Sequence, residues 1–345
     1  MLKKHIYGLC SVLFFALTTG VSAQDACSTN AVHALANVTV SDGKTYQVES
    51  LFRSKHQAAS IFIEEQGSTN VVEGPFSWVS SEEKSELGGG FLRDYTLGHQ
   101  FHAFLWHFND VVSDIEIVEG VMFGGEAYPA HRGVLDTGGI VSLINPNAPR
   151  PAGLRFELGE FLIDITFLDW REQGQVEIPF ALRIDDQQRV FNYQYQYVDG
   201  APKPLMWFYE KVPAPSIDAV GIYRLHRKQL IAHCLGDAVM LASTLAPEVV
   251  MANAGQLIRT SPVQTQAVFE NSVFKRRQYT SYVDTQYPVI EVAESGDLGW
   301  ATVELQTTGI GSESGQKFDE QWAWTMLAKK IDNEWLMVGN ASNRK

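Results

Sequence analysis

The chain has little positive charge, few cysteines and no long apolar run. Lysine and arginine number 27 against 40 aspartates and glutamates, a formal charge of −13, and such a surface repels nucleic acid and anionic membrane faces. Nothing approaches the roughly 20 apolar residues of a spanning helix, so no stable membrane insertion is expected. Low-complexity tracts and short-period repeats are absent. Familiar catalytic loops are missing too: "ELGGGFL" lacks the Lys-Ser/Thr that completes a phosphate cradle, and "GIGSESGQ" carries Glu313 where a nucleophile elbow needs serine. Both read as turns.

What is present begins with an export signal. Lys3 and Lys4 give a positive start, Ile6 to Leu17 is apolar, and Val21-Ser22-Ala23 supplies small residues for cleavage before Gln24. Residues 1–23 are therefore expected to be removed from a secreted or periplasmic protein, and their loss takes away two lysines and no acid. Cys27 and Cys234 remain. They could pair in an oxidising compartment, but nothing in the sequence fixes their distance, and Cys234, inside a helical pattern, reads more plainly as a small buried residue.

Residues 24–210 read mainly as strands. "TYQVESLF" and "ASIFIEE" alternate; "FLIDITFLDW" puts Phe161, Ile163, Ile165 and Phe167 on one face; "VFNYQYQYV" does the same with Phe191, Tyr193, Tyr195 and Tyr197. One apolar and one polar face per strand implies an antiparallel sheet solvated on one side. In the middle lies "LGHQFHAFLWHFNDVV", Leu97 to Val112, a helical pattern with Phe101, Phe104, Leu105, Phe108 and Val112 on the core stripe. His99 and His102, spaced i and i+3, fall on the opposite side and His107 points elsewhere, which is not the ligand pattern of a zinc helix, so no metal is expected. The helix is expected to lie against the sheet or plug it.

"EKVPAPSID", Glu210 to Asp218, has two prolines and no period, and residues 211–218 read as a joint. Beyond it a helical pattern runs from Ile217 to about Leu235, stops at Gly236-Asp237, and resumes through "AVMLASTLA" to Pro247. Ser261-Pro262 starts a third helix reaching Phe274. Four strands follow, near Tyr279–Val292, Gly299–Thr308, Phe318–Ile331 and Glu334–Ala341, with turns at Gly296-Asp297 and Asp332-Asn333.

Three helices followed by a long antiparallel sheet, carried by "LIAHCLGDAVMLASTLAPEVVMANAG", "PVIEVAESGDLGWATVEL" and "WAWTMLAKKIDNEWLMVGNASN", resemble the nuclear transport factor 2-like superfamily in its SnoaL-like secreted branch. The resemblance implies a cone-shaped α+β barrel over residues 219–345. By pattern alone, "FLDWREQGQVEIPFALRIDDQQRVFNYQYQYVD" resembles the periplasmic lipoprotein carriers of the LolA type, which implies an antiparallel half-barrel with a helix for residues 24–210. The fold class is thus α+β, with two units that each enclose a hollow.

Candidate site residues come from the second unit. Tyr223, His226, Leu230 and His233 share a helix face. On the strands Trp300, Thr302, Glu304 and Gln306 alternate together, as do Phe318, Glu320, Trp322, Trp324 and Met326. A pocket lined by Tyr223, Leu230, Trp300, Trp322 and Trp324 would take a small apolar or lipid-like ligand, and this non-catalytic binding is the leading expectation, with no cofactor. A second is an enzyme (hydrolase, isomerase or dehydratase) in which His226 or His233 works with Glu304 as acid and base. A third is an interaction module that forms a homodimer through its Trp-rich sheet.

Overall fold

A computed structural model describes residues 27–63, 67–253 and 255–345. The expected leader, with Cys10, lies outside the described residues. Among those described, no helix is long and apolar enough to cross a membrane.

The first sheet holds thirteen antiparallel strands: β1 (Val32–Val40), β2 (Thr45–Ser54), β3 (Gln57–Ile63), β4 (Ser68–Glu73), β5 (Phe76–Ser80), β6 (Ser85–Leu87), β7 (Ser113–Phe123), β8 (Glu126–Val134), β9 (Ile140–Ile144), β10 (Gly153–Leu158), β11 (Phe161–Gln173), β12 (Val176–Asp185) and β13 (Val190–Asp199). Their order is β6-β5-β4-β3-β2-β1-β13-β12-β11-β10-β9-β8-β7. Two meanders therefore run outward from the central β1–β13 pair, and helices α1 (Gly90–Gly98) and α2 (Phe101–Val111) carry the chain from one outer edge to the other. The sheet is open, with β6 and β7 as free ends of the ladder.

α2 fills the hollow of this sheet. Its Phe101, Phe104, Phe108 and Val111 pack in one core with Leu154, Phe156, Tyr193 and Tyr195, so the expected apolar stripe is the one buried. The histidines differ from expectation. His102 is buried at 3 % exposure, where its Nε2 donates to the Pro179 carbonyl at 2.8 Å and its ring meets Tyr195 edge-on. His99 caps α1, its Nδ1 2.9 Å from the Tyr95 carbonyl, and His107 pairs with Asp110 at 3.3 Å. A helix sunk in a curved sheet is covered on more than one side, so the side opposite its apolar stripe is not wet. Among the described residues no three His, Cys, Asp or Glu groups gather where they could hold a metal.

The second sheet follows α3 (Trp207–Lys211), α4 (Asp218–Leu235) and α5 (Ala238–Ala242). It contains β14 (Leu245–Asn253), β15 (Gln256–Thr260), β16 (Arg277–Asp284), β17 (Val289–Val292), β18 (Leu298–Gly311), β19 (Lys317–Ile331) and β20 (Glu334–Arg344). Its order is β15-β14-β20-β19-β18-β16, with β17 also on β18 and β14 parallel to β20. This sheet too is open, so the expected barrel closure is not formed. Between β15 and β16 the chain runs through α6 (Pro262–Val268), a π-turn (Phe269–Val273) and α7 (Phe274–Arg276).

Local chemistry accounts for the helix ends. Gly236 adopts φ +63° and closes α4 with the Asp237 amide on the Ala232 carbonyl, a left-handed cap that suits glycine. Asp237 then caps α5 through the Met240 amide. Ser261 and Gln264 form a reciprocal capping box with Pro262 at the first turn. The second expected helix is shorter than its apolar pattern, because Leu245 already pairs with Met337 as strand. Asp332 and Asn333 at φ +49° and +66° make the β19–β20 hairpin turn.

α4 belongs to both sheets. Val220 packs with Leu51, Val71, Trp78, Phe208 and Val212 on the first, while Ile222 and Leu225 pack with Ala301, Met326 and Met337 on the second. Arg224 pairs with the buried Glu73 at 2.8 Å. Gly74, at φ +57°, leaves room for the Tyr223 ring, which would lie 2.1 Å from an added Cβ. In the Pro-rich stretch Val212 is 1 % exposed, while Lys211, Pro213, Ala214 and Ser216 are exposed. Cys27 and Cys234 form a disulfide, their Cα atoms 5.3 Å apart; this replaces the reading of Cys234 as a lone buried thiol and ties the start of the described chain to the end of α4.

Candidate functional site

Strand register decides which residues of the second sheet face inward. β18 and β19 pair Leu305 with Trp322, Val303 with Trp324 and Ala301 with Met326, and directly opposed residues share a face. Ala301, Val303, Leu305 and Thr307 are buried, whereas Thr302 and Glu304 are exposed. The inner face therefore carries Trp322, Trp324 and Met326, and the outer face carries Trp300, Thr302, Glu304 and Gln306.

Between this inner face, α4 and the α6–α7 run lies a cavity of about 680 Å³, within the roughly 300–1,000 Å³ typical of small-molecule sites. Leu230, Leu241, Leu305, Phe269, Trp322 and Trp324 supply much of its wall. Polar side chains alternate with these, among them His233, Tyr279, Tyr282, Asn253 and Asn340. Arg276, Arg277 and Arg344 also line it.

Three of the expected pocket residues, Leu230, Trp322 and Trp324, line this cavity. Tyr223 does not: it faces a separate small polar cleft between the sheets, beside His56, Glu73, Arg227, Asp284 and Tyr287. Burial pushes its phenol well above the ordinary range. Trp300 lies on the outer face, paired with Leu327 and Glu291. Trp322 and Trp324 turn inward, and the outer face of these strands carries Trp300 with the exposed Val289, Leu298 and Leu327.

The expected acid/base pair is not assembled. Glu304 projects from the far side of β18, away from α4. His226 is wholly buried and its Nε2 sits 2.9 and 3.0 Å from the two carboxylate oxygens of Asp284. Its ring lies against Trp324 at 5.2 Å, and its Nδ1 has no hydrogen-bond partner. Trp324 rather than His226 meets the cavity, so a bound molecule would touch the indole and not the imidazole. His233 does line the cavity. Its Nδ1 is 2.7 Å from the Gln229 carbonyl, and the rings of Phe269, Phe274, Tyr279 and Tyr282 surround it at 4.4 to 5.8 Å. Packing in that aromatic cage pushes its pKa down to about 4, which keeps the imidazole neutral near pH 7. No carboxylate reaches it within ion-pair distance among the described residues.

Several contributors escape period-2 reading. A bulge in β16 between Tyr279 and Ser281 brings Tyr279 and Tyr282, three positions apart, against the same His233 ring. Asp284 ends that strand 58 residues from His226, with no local signal of the pairing. Arg277 and Arg344 converge on Glu320 at 2.8 and 3.2 Å; only the alternation of Phe318, Glu320, Trp322 and Trp324 hinted that Glu320 shares the cavity face.

No family model matches the chain, and no curated protein matches it. Solved structures do. A ketosteroid isomerase-like protein from Erwinia carotovora atroseptica is similar at 15 % identity over 37 % of this chain and 97 % of its own, with a TM-score of 0.32. A nuclear transport factor 2-like superfamily protein from Salmonella enterica serovar Typhimurium is similar at 15 % identity, over 37 % and 90 %, with a TM-score of 0.33. A hexachlorocyclohexane dehydrochlorinase from Novosphingobium barchaimii is similar at 17 % identity, over 36 % and 84 %, with a TM-score of 0.32. Each match covers little more than a third of this chain. None of the three supports the lipoprotein-carrier resemblance.

Proposed function

We propose that this protein binds a small apolar or lipid-like molecule without transforming it, in the cavity beneath the second sheet. The observation that carries the reading is the cavity itself: about 680 Å³, walled by leucines and aromatic rings, and without an acid/base pair reaching its surface. The Nε2 of His226 is bonded to Asp284 behind Trp324, and neither side chain lines the cavity. We place the site in a SnoaL-like unit of residues 219–345, joined through 211–218 to a β-rich unit of residues 24–210. A periplasmic or secreted setting is part of the proposal; a Cys27–Cys234 disulfide supports it, because such bonds persist in oxidising compartments.

The test is titration with the uncharged fluorophore N-phenyl-1-naphthylamine, whose emission rises in apolar surroundings. Saturable enhancement is expected for the parent protein. Leu230→Trp, which fills the cavity from α4, and Val268→Trp, which fills it from the exposed side of α6, should both lose it while retaining the parent circular dichroism spectrum. Absence of saturable uptake by the parent protein, or uptake unchanged in both variants, would end the reading.

A further inference from the structure

The cavity holds a concentration of positive charge that the rest of the chain does not explain. The protein is acidic overall, at −13, yet no aspartate or glutamate is among the cavity's lining residues and three arginines are: Arg276, Arg277 and Arg344. One carboxylate stands behind them. Glu320, buried at 5 % exposure, receives Arg277 through both terminal nitrogens at 2.8 and 3.2 Å and Arg344 at 3.2 Å. Three guanidinium charges against one carboxylate leave an excess of two. Arg276 forms no ion pair among the described residues and is exposed, as is Arg344, so both stand at the rim of a hollow whose walls are apolar. Arg277 lies over the Phe318 ring at 4.9 Å and is held by Glu320, which fixes its planar fork in place.

An apolar body with a cationic rim selects for an amphiphile. A neutral hydrocarbon leaves the rim charges as they are in water, whereas a ligand ending in an anion gains charge-assisted hydrogen bonds there. Resting on the binding reading above, we propose that the ligand is an amphiphile with a terminal anionic group of the carboxylate kind, its apolar body along Leu230, Trp322 and Trp324 and its charged end at Arg276 and Arg344. Glu320 anchors the neighbouring guanidinium groups without cancelling them.

The experiment compares dodecanoate with dodecan-1-ol, which share a chain and differ at its end, using tryptophan emission and calorimetric titration on the whole protein. Dodecanoate is expected to bind about tenfold more tightly than the alcohol, in line with one charge-assisted hydrogen bond. That preference should shrink severalfold in Arg276→Gln and again in Arg276→Gln/Arg344→Gln. Arg276 and Arg344 are exposed, so these variants keep the fold, and a circular dichroism spectrum verifies it. Equal affinity for the two probes, or a preference untouched in the double variant, overturns the anionic-group assignment while the apolar cavity stands. Failure of both probes to bind overturns the cavity reading as well.

Discussion

His102 ties the stability of the first sheet to pH. Its side chain is sealed between α2, Tyr195 and the Pro179 carbonyl, and burial pushes its pKa down to about 4, against about 6.5 for a free histidine. The folded state therefore favours the neutral ring. The stabilisation is complete above the unfolded value near 6.5 and is lost as pH falls through it toward 4. At about 1.4 kcal/mol per pH unit of separation, the full loss is about 3 kcal/mol. His102→Gln isolates this contribution, because the glutamine amide nitrogen reproduces the Nε2 donor to Pro179 but does not titrate. Urea unfolding of both proteins at pH 7, 6, 5 and 4 should show the parent losing about 3 kcal/mol more than the variant across that range. His56 and His233, whose pKa values burial pushes to about 3 and about 4, titrate in both proteins and cancel in the difference. Parallel curves for parent and variant would refute the reasoning, since they would mean that His102 binds its proton equally well folded and unfolded.

Three further outcomes follow from the packing of α4. Replacing Cys27 and Cys234 by serine opens a link across 207 residues; chain entropy sets an upper bound of about 5 kcal/mol and native disulfides give about 2–4, so urea unfolding of the double variant should show a loss in that range, matched by reducing the parent. Arg224→Leu removes the ion-pair partner of Glu73, which is 1 % exposed and whose pKa burial raises; with Arg227 and Tyr209 still beside the carboxylate, the loss should be about 3 kcal/mol at pH 7, the lower end for a broken buried pair. Because a raised carboxyl pKa favours folding at low pH and loses that advantage as pH rises, the penalty should shrink toward pH 4, and a penalty independent of pH would contradict the assignment. Asp284→Ala leaves the wholly buried His226 without its acceptor and should cost about 1–3 kcal/mol, while Asp284→Asn, which keeps an acceptor oxygen, should cost less; equal thermal shifts in the two variants would argue against that hydrogen bond.

Much of the second unit was legible because its signals are local. The Gly236-Asp237 stop, the Ser261-Pro262 start and the Asp332-Asn333 turn each depend on a backbone conformation that particular residues favour, and each stands where the sequence places it. The alternating faces of β18 and β19 were readable for the same reason, since side-chain direction along a strand has period two. Which face is the inside was not. Trp300 and Glu304 have the same kind of alternation as Trp322 and Trp324, and only the docking of α4 separates them. In "LGHQFHAFLWHFNDVV" the phenylalanine stripe was correct, yet the histidines opposite it are partly or wholly enclosed, because amphipathicity tells how a helix faces one neighbour and nothing about a second.

By itself, then, the sequence determined the acidic surface, the succession of two strand-rich regions around a helical stretch, the turns, and Leu230, Trp322 and Trp324 as candidates for a shared pocket. These rest on composition and on interactions within a few residues. Tertiary structure decided the rest: both sheets remain open, Cys27 meets Cys234, Asp284 and not Glu304 reaches His226, and three arginines stand beside an apolar hollow. Each of these joins residues far apart in the chain, and no local period or propensity records which distant groups the packing of α4 against two sheets will bring together.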